Sequence, residues 1–232
     1  MPERYGFSPD QQPKIIEFPY QLRSPESFDL AYELLKDKRV SDHLNFLEKH
    51  HPPSFQHSVR VGALSADLCL ENDYKEEETL IVTIGGMLHD IGKCVIPQEI
   101  LNKTSPLSPE EWKIMKTHAR EGFERLKDPA YDGIREIVRE HHEYQGENSY
   151  PRKNGNGKSE DHAVERRTND PKKFGYRAAL VAAADHFDAL CVQRPYNPKF
   201  DKNEISRLLR DPHIYSGDPK FIEQILTRYE DT

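Results

Sequence analysis

A histidine and an aspartate stand side by side in GGMLHDIGKCVIP, residues 85–97, with two glycines ahead of them and Lys93 three residues beyond Asp90. Both side chains can ligate a metal, and both are costly to bury without a compensating partner. On a helical wheel Ile84, Met87, Leu88, Ile91 and Val95 form one stripe, an ordinary core face. Gly85, Gly86, His89, Asp90 and Lys93 gather on the opposite side. A solvated face would carry Glu, Lys or Gln there, since each glycine costs about 1 kcal/mol against alanine inside a helix. The glycines therefore imply close approach of another chain segment or a ligand. The polar face is expected to be enclosed.

Further residues of the same kind are spread along the chain. His57 lies in FQHSVRVGAL, His118 in MKTHAREGF near the middle of its expected helix, and His141-His142-Glu143 close IREIVREHHE. Asp185 lies in ALVAAADHFDAL, an alanine-rich stretch where an unpaired carboxylate would be expensive. Mixed nitrogen and oxygen donors of this kind suit borderline first-row metals such as iron, manganese or zinc, and do not suit calcium.

The elements that must position these residues read as helices throughout. Residues 1–23 are polar and proline-spaced, an arm expected to lie on the domain. Ser24-Pro25-Glu26 opens a helix to about Leu35, with proline at its first position. Ser41 starts a second helix that stops before Pro52-Pro53, and a third runs from Ser54 to about Asn72. Lys75 to Cys94 is the helix carrying His89 and Asp90. Ser108-Pro109-Glu110-Glu111 is a capping box opening a helix to about Lys127. Tyr131–Glu143 and Gly175–Cys191 follow, then shorter helices near 202–209 and 218–229. No segment alternates as a strand would, and residues 151–175 form a polar, glycine-dotted loop. The expected fold is all-α: one helical bundle with a metal site in its core, residues 51–232 forming the domain and 1–50 an arm and helices packed on it.

Composition narrows the setting. A formal net charge of −7 argues against a nucleic-acid polymer or an anionic membrane as partner. Cys69, Cys94 and Cys191 form no CxxC and are expected to be reduced thiols in a cytoplasmic protein. No segment has the length of a signal peptide's apolar stretch or of a membrane span.

The ordered series H…HD…H…HH…D, with LHDIGK, IGKCVIPQEIL, SPEEWKIMKTHAREG, HHE and FDALCVQRPY, resembles the HD-GYP branch of the HD-domain metal-dependent phosphohydrolases over roughly residues 54–196. That resemblance implies an all-helical fold, two divalent metal ions (iron or manganese) and hydrolysis of a cyclic dinucleotide, chiefly cyclic di-GMP, by a metal-activated hydroxide. It implies that His57, His89, Asp90 and Asp185 hold one ion. Asp90, His118, His141 and His142 would hold the other, with Asp90 bridging. Lys93 would contact the scissile phosphate, and Tyr150 and Arg194 would contact substrate. Asp188 and Glu143 lie beside the ligands and are candidates either to orient them or to lie on helix surfaces.

The chain also departs from that family's pattern. HHEYQGENSYP carries Ser149 where the signature has glycine, the segment after Pro151 is a longer polar loop, and Asn197-Pro198 follow the RPY motif. Pro53 stands where some members use a glutamate for a third metal, so two are expected. These changes touch recognition and spare the metal ligands. Alternatives are a phosphohydrolase for another nucleotide or phosphate ester, and a receptor module that binds a cyclic dinucleotide without cutting it. The first fifty residues are too few for a receiver or sensor domain. Regulation is expected from the arm, the long loop, a homodimer or a protein partner.

Overall fold

The computed structural model describes residues 16–144, 150, 174–192 and 200–228, and among them every regular element is a helix. The N-terminal half runs α1 (Pro25–Leu34), α2 (Lys38–His50), α3 (Pro52–Glu71) and α4 (Glu76–Leu88). A 3-10 turn (Ile91–Val95) leads to α5 (Gln98–Leu101), α6 (Pro109–Met115) and α7 (His118–Arg125). Then come α8 (Ile134–Glu140), a second 3-10 turn (His141–Tyr144), α9 (Phe174–Cys191), α10 (Lys202–Leu209) and α11 (Pro219–Leu226). No described helix is long and apolar enough to cross a membrane.

α3 is the central strut, buried over most of its circumference between two apolar clusters. On one side Leu64 and Leu68 meet Leu180 and Phe187 of α9 and Phe221 and Ile225 of α11. On the other, Val59 joins Leu44 and Leu47 of α2, Met87 and Leu88 of α4 and Val138 of α8. α9 reaches this depth because its run of alanines presents little bulk.

Helix starts and stops differ from the sequence expectation in ways that matter for the site. α2 stops at His50 as expected, but α3 starts two residues before Ser54, at Pro52 and Pro53. They occupy the first turn of α3, where a missing N–H and a fixed φ are tolerated, and His51 caps it by accepting from the Ser54 N–H. α2 begins at Lys38, capped by Asp37, ahead of Ser41. Ser24 precedes α1, but its hydroxyl bonds Glu26 while Asp67 of α3 accepts the Ser24 N–H at 2.7 Å. Asp67 also receives Arg228 from beyond α11 at 2.5 Å. This buried pair ties both ends of the described chain to the central helix.

The expected helix over 75–94 stops at Leu88, and a 3-10 turn takes over after Asp90. Val95, placed on the core stripe by an unbroken wheel, is instead 58% exposed. The expected helix over 108–127 breaks at Lys116-Thr117, so His118 opens α7 and does not sit in mid-helix. The 131–143 helix likewise divides, giving α8 and the 3-10 turn that holds His141 and His142. Each departure falls beside a candidate ligand.

Candidate metal centre

The glycines bring backbones together. A Cβ on Gly86 would lie 3.0 Å from the Gly62 Cα, so α3 and α4 touch main chain to main chain. A Cβ on Gly92 would overlap the carbonyl oxygen of His118, so the turn after Asp90 lies directly on the start of α7. The enclosed polar face expected from sequence is thus closed by neighbouring helices. The same contacts bring His57 of α3 and His89 at the end of α4 to a ring separation of 5.2 Å.

His57, His89, Asp90, His118, His141, His142 and Asp185 are all buried and converge. Asp90, His118, His141 and His142 form one group whose donor atoms all lie within 4.8 Å of each other. His57, His89 and Asp90 form a second, and His89, His141 and Asp185 a third. Asp90 faces both sides: its Oδ1 lies 3.3 Å from His118 Nε2, its Oδ2 3.4 Å from His89 Nε2 and 3.8 Å from His57 Nε2.

On four of the five rings the nitrogen that points away is spoken for. His89 Nδ1 bonds the Gly86 carbonyl at 2.7 Å, His118 Nδ1 that of Met115 at 2.7 Å, and His141 Nδ1 that of Val138 at 2.8 Å. His57 Nδ1 bonds Asp188 Oδ2 at 2.7 Å. With these Nδ1–H groups so donated, the four Nε2 atoms turn lone pairs inward, while His142 Nδ1 is buried with no hydrogen-bond partner. His142 and His118 then face each other Nε2 to Nε2 at 3.1 Å, with His141 Nε2 3.5 Å from His118. His89 Nε2 and Asp90 Oδ1 are buried with no hydrogen-bond partner. Acceptors crowded against acceptors are unfavourable unless a cation lies among them. The donor set therefore fits a metal ion, and imidazoles locked by their second nitrogen are what such sites require.

Charge states agree for three of the rings, while His89, against its burial, is raised by the Asp90 and Asp185 carboxylates. Burial first, and then the neighbouring imidazoles, hold His141 and His142 well below the usual imidazole range. Burial also lowers His118, to about 4, with Asp90 opposing and Lys93 assisting. These rings are neutral at neutral pH, the form that ligates. Burial would raise the Asp90 carboxyl, but the Lys93 ammonium and the adjacent His89 outweigh it and keep it well below the carboxylate range. Lys93 Nζ lies 2.5 Å from Asp90 Oδ2.

Asp188, which the sequence left between an orienting and a surface role, is fully buried. It accepts His57, a two-point contact from Arg60 (2.7 and 2.9 Å) and the Tyr20 hydroxyl at 2.8 Å. Arg60 and Tyr20 were not singled out from sequence. Arg60 lies one helical turn (i+3) after His57, and Tyr20 sits in a segment read only as a polar arm. Two carboxylates three residues apart in DHFD, with an Arg three residues after His57, were the available signal. Glu143 is half-buried.

The cluster floors a cavity of about 540 Å³, within the range that holds small ligands. Lys93, Tyr150 and His186 line it, with an outer wall from the segment 100–107 and from α6. Tyr150 is not an open platform: its ring stacks on His142 with centroids 4.3 Å apart, and its N–H bonds the His142 carbonyl at 3.2 Å. Burial pushes its phenol well above the usual range. Arg194, Ser149, Asn197-Pro198 and residues 151–173 of the polar loop lie outside the described residues.

Buried histidines and aspartates from five separate segments of the chain, grouped around one aspartate, define a metal-site helical bundle. Residues 54–190 match the HD domain family, and the chain belongs to it. It is 34% identical over 205 residues to a cyclic di-GMP phosphodiesterase of Thermotoga maritima, covering 85% of this chain and 49% of that protein. It is 27% identical over 211 residues to the 3′3′-cGAMP-specific phosphodiesterase 2 of Vibrio cholerae, covering 89% of this chain and 38% of that one. The chain thus spans half or less of these curated relatives. Its fold is similar to that of the HD domain of the L. monocytogenes phosphodiesterase PgpH, solved in complex with cyclic-di-AMP. The TM-score is 0.53 at 19% identity, over 80% of this chain and 93% of that one.

Proposed function

We propose that the chain is a metal-dependent phosphodiesterase that hydrolyses a cyclic dinucleotide, with cyclic di-GMP the foremost candidate substrate. One observation carries the reading: Asp90 meets His118, His141 and His142 on one side and His57 and His89 on the other, on the floor of a cavity of ligand size. In this reading His57, His89, Asp90 and Asp185 hold one divalent ion, and Asp90, His118, His141 and His142 the other. Iron or manganese suits the mixed imidazole and carboxylate set. When bound, such a pair supplies Lewis acidity toward phosphoryl oxygens and lowers the pKa of water.

The chain's own residues set the rest of the chemistry. Lys93 holds its ammonium beside Asp90 and on the cavity surface, placed to meet the charge that accumulates on an attacked phosphate. Asp188, anchored by Arg60 and Tyr20, fixes the tautomer of His57 so that Nε2 stays an acceptor. Tyr150 holds one face of His142. Arg194 is assigned to substrate phosphate or a guanine edge.

The names of the relatives support the substrate class and leave the bases open, since one acts on cyclic di-GMP and another on 3′3′-cGAMP. The test is turnover of cyclic di-GMP, 3′3′-cGAMP and cyclic di-AMP by the chain supplied with Mn²⁺ or Fe²⁺. Hydrolysis of at least one, abolished by chelation, is expected. Cleavage only of non-cyclic nucleotides would move the reading to a general phosphohydrolase. Tight binding without cleavage would make the chain a receptor.

A further inference from the structure

The cavity has two unlike sides. The floor carries Asp90, Lys93, His118 and Asp185, while the outer wall brings Leu107, Trp112 and Met115, with Lys103, Thr104 and Ser105 among them. α6 buries none of its residues, yet it holds the chain's single tryptophan, 47% exposed and lining the cavity. An indole left half-open beside a polar cluster is poorly accounted for as core.

The wall is nonetheless firmly built. Ser108 accepts the Glu111 N–H at 3.2 Å, and Glu111 Oε2 accepts the Ser108 N–H at 2.6 Å, a reciprocal cap on α6. The same Glu111 oxygen receives Lys103, so the segment between them is pinned at both ends. Glu111 immediately precedes Trp112. At the other end of α6 the Met115 carbonyl accepts His118 Nδ1, which couples the wall to a candidate ligand. The indole is therefore held at a fixed place relative to the cluster.

A cyclic dinucleotide presents two chemistries at once, phosphodiesters and flat purines. The floor suits the first. We propose that Trp112, with Leu107 and Met115 of the same wall, is a purine subsite in which one base of the substrate stacks on the indole. This rests on the phosphodiesterase reading and assigns to that site a specificity-determining residue, one that positions the base and touches no reacting atom. Tyr150, with one face on His142, is less available for that role.

Because Trp112 is the sole tryptophan, its fluorescence reports the subsite directly. The metal-loaded full chain is titrated with a slowly cleaved phosphorothioate analogue of cyclic di-GMP, with calorimetry in parallel. Tryptophan emission is expected to fall by about half or more, saturating with the calorimetric isotherm. Trp112→Ala should raise KM for cyclic di-GMP roughly ten-fold or more while kcat falls less, the scale of a lost base–aromatic stack. Trp112→Phe should recover most of the loss, which a folding defect would not allow. Calorimetric binding with unchanged emission, together with an unchanged KM in Trp112→Ala, would overturn the subsite and leave the phosphodiesterase reading standing. Absence of both binding and turnover for every cyclic dinucleotide would defeat that reading and the subsite with it.

Discussion

On the floor of the cavity, His89, His118 and His141 each give one ring nitrogen to a backbone carbonyl, and His57 gives one to Asp188. Across from them, α6 buries no side chain, and the segment from Thr104 to Pro106 is exposed. The floor is fixed by main-chain contacts at Gly86 and Gly92, which leave no freedom to shift a ligand without moving a helix. The wall is held at its ends, by Lys103, Ser108 and Glu111 before α6 and by the Met115 carbonyl on His118 after it. The contrast separates two requirements. Metal chemistry tolerates little displacement, whereas recognition can change by exchanging wall residues while the floor stays intact.

That contrast can be broken most forcefully at Asp90, the carboxylate that faces both histidine groups. Asp90→Ala should lower phosphodiesterase turnover by several orders of magnitude, as expected for losing a two-metal centre. Normal kinetics in this variant would remove the floor from the mechanism. Next comes its support. Arg60→Ala leaves Asp188 fully buried with its principal cation gone, which should cost about 3–5 kcal/mol in a denaturant melt. It should also weaken metal binding by about 10–100-fold, through the loosened His57. A melt indistinguishable from wild type would show that Asp188 is sustained without Arg60.

Lys93→Ala should keep its metal content and lose about 10²–10³-fold in kcat, the scale of removing one preorganised charge donor. Loss of metal instead would make Lys93 a structural partner of Asp90. The smallest effect belongs to the wall: Pro106→Ala, at an exposed position, should change stability by about 0.5 kcal/mol or less. A large melt shift there would mean the two sides are not independently built.

The metal-capable residues were legible because histidine and aspartate in apolar helical segments are expensive and call for an explanation. The all-helical fold was legible from periodicity and from caps such as Ser108. The breaks were not. Leu88, His89 and Asp90 continue a helical pattern in sequence, and the turn forms there because Gly92 must lie against the His118 carbonyl, a contact between segments distant in the chain. A wheel extended through the break therefore carried Val95 into the core, although it is exposed. Pro52 and Pro53 read as the stop of α2, which ends at His50, but they also open α3, because His51 caps its first turn. Arg60 and Tyr20 escaped notice because their meaning comes only from Asp188, more than a hundred residues away.

The central claim is that Asp90 joins two ions in one buried cluster. Elemental analysis of the manganese-loaded chain, with electron paramagnetic resonance on the same sample, tests it most directly. Two manganese ions per chain with the spectrum of an exchange-coupled pair are predicted. One ion with an isolated six-line signal, or none retained after desalting, would contradict the account.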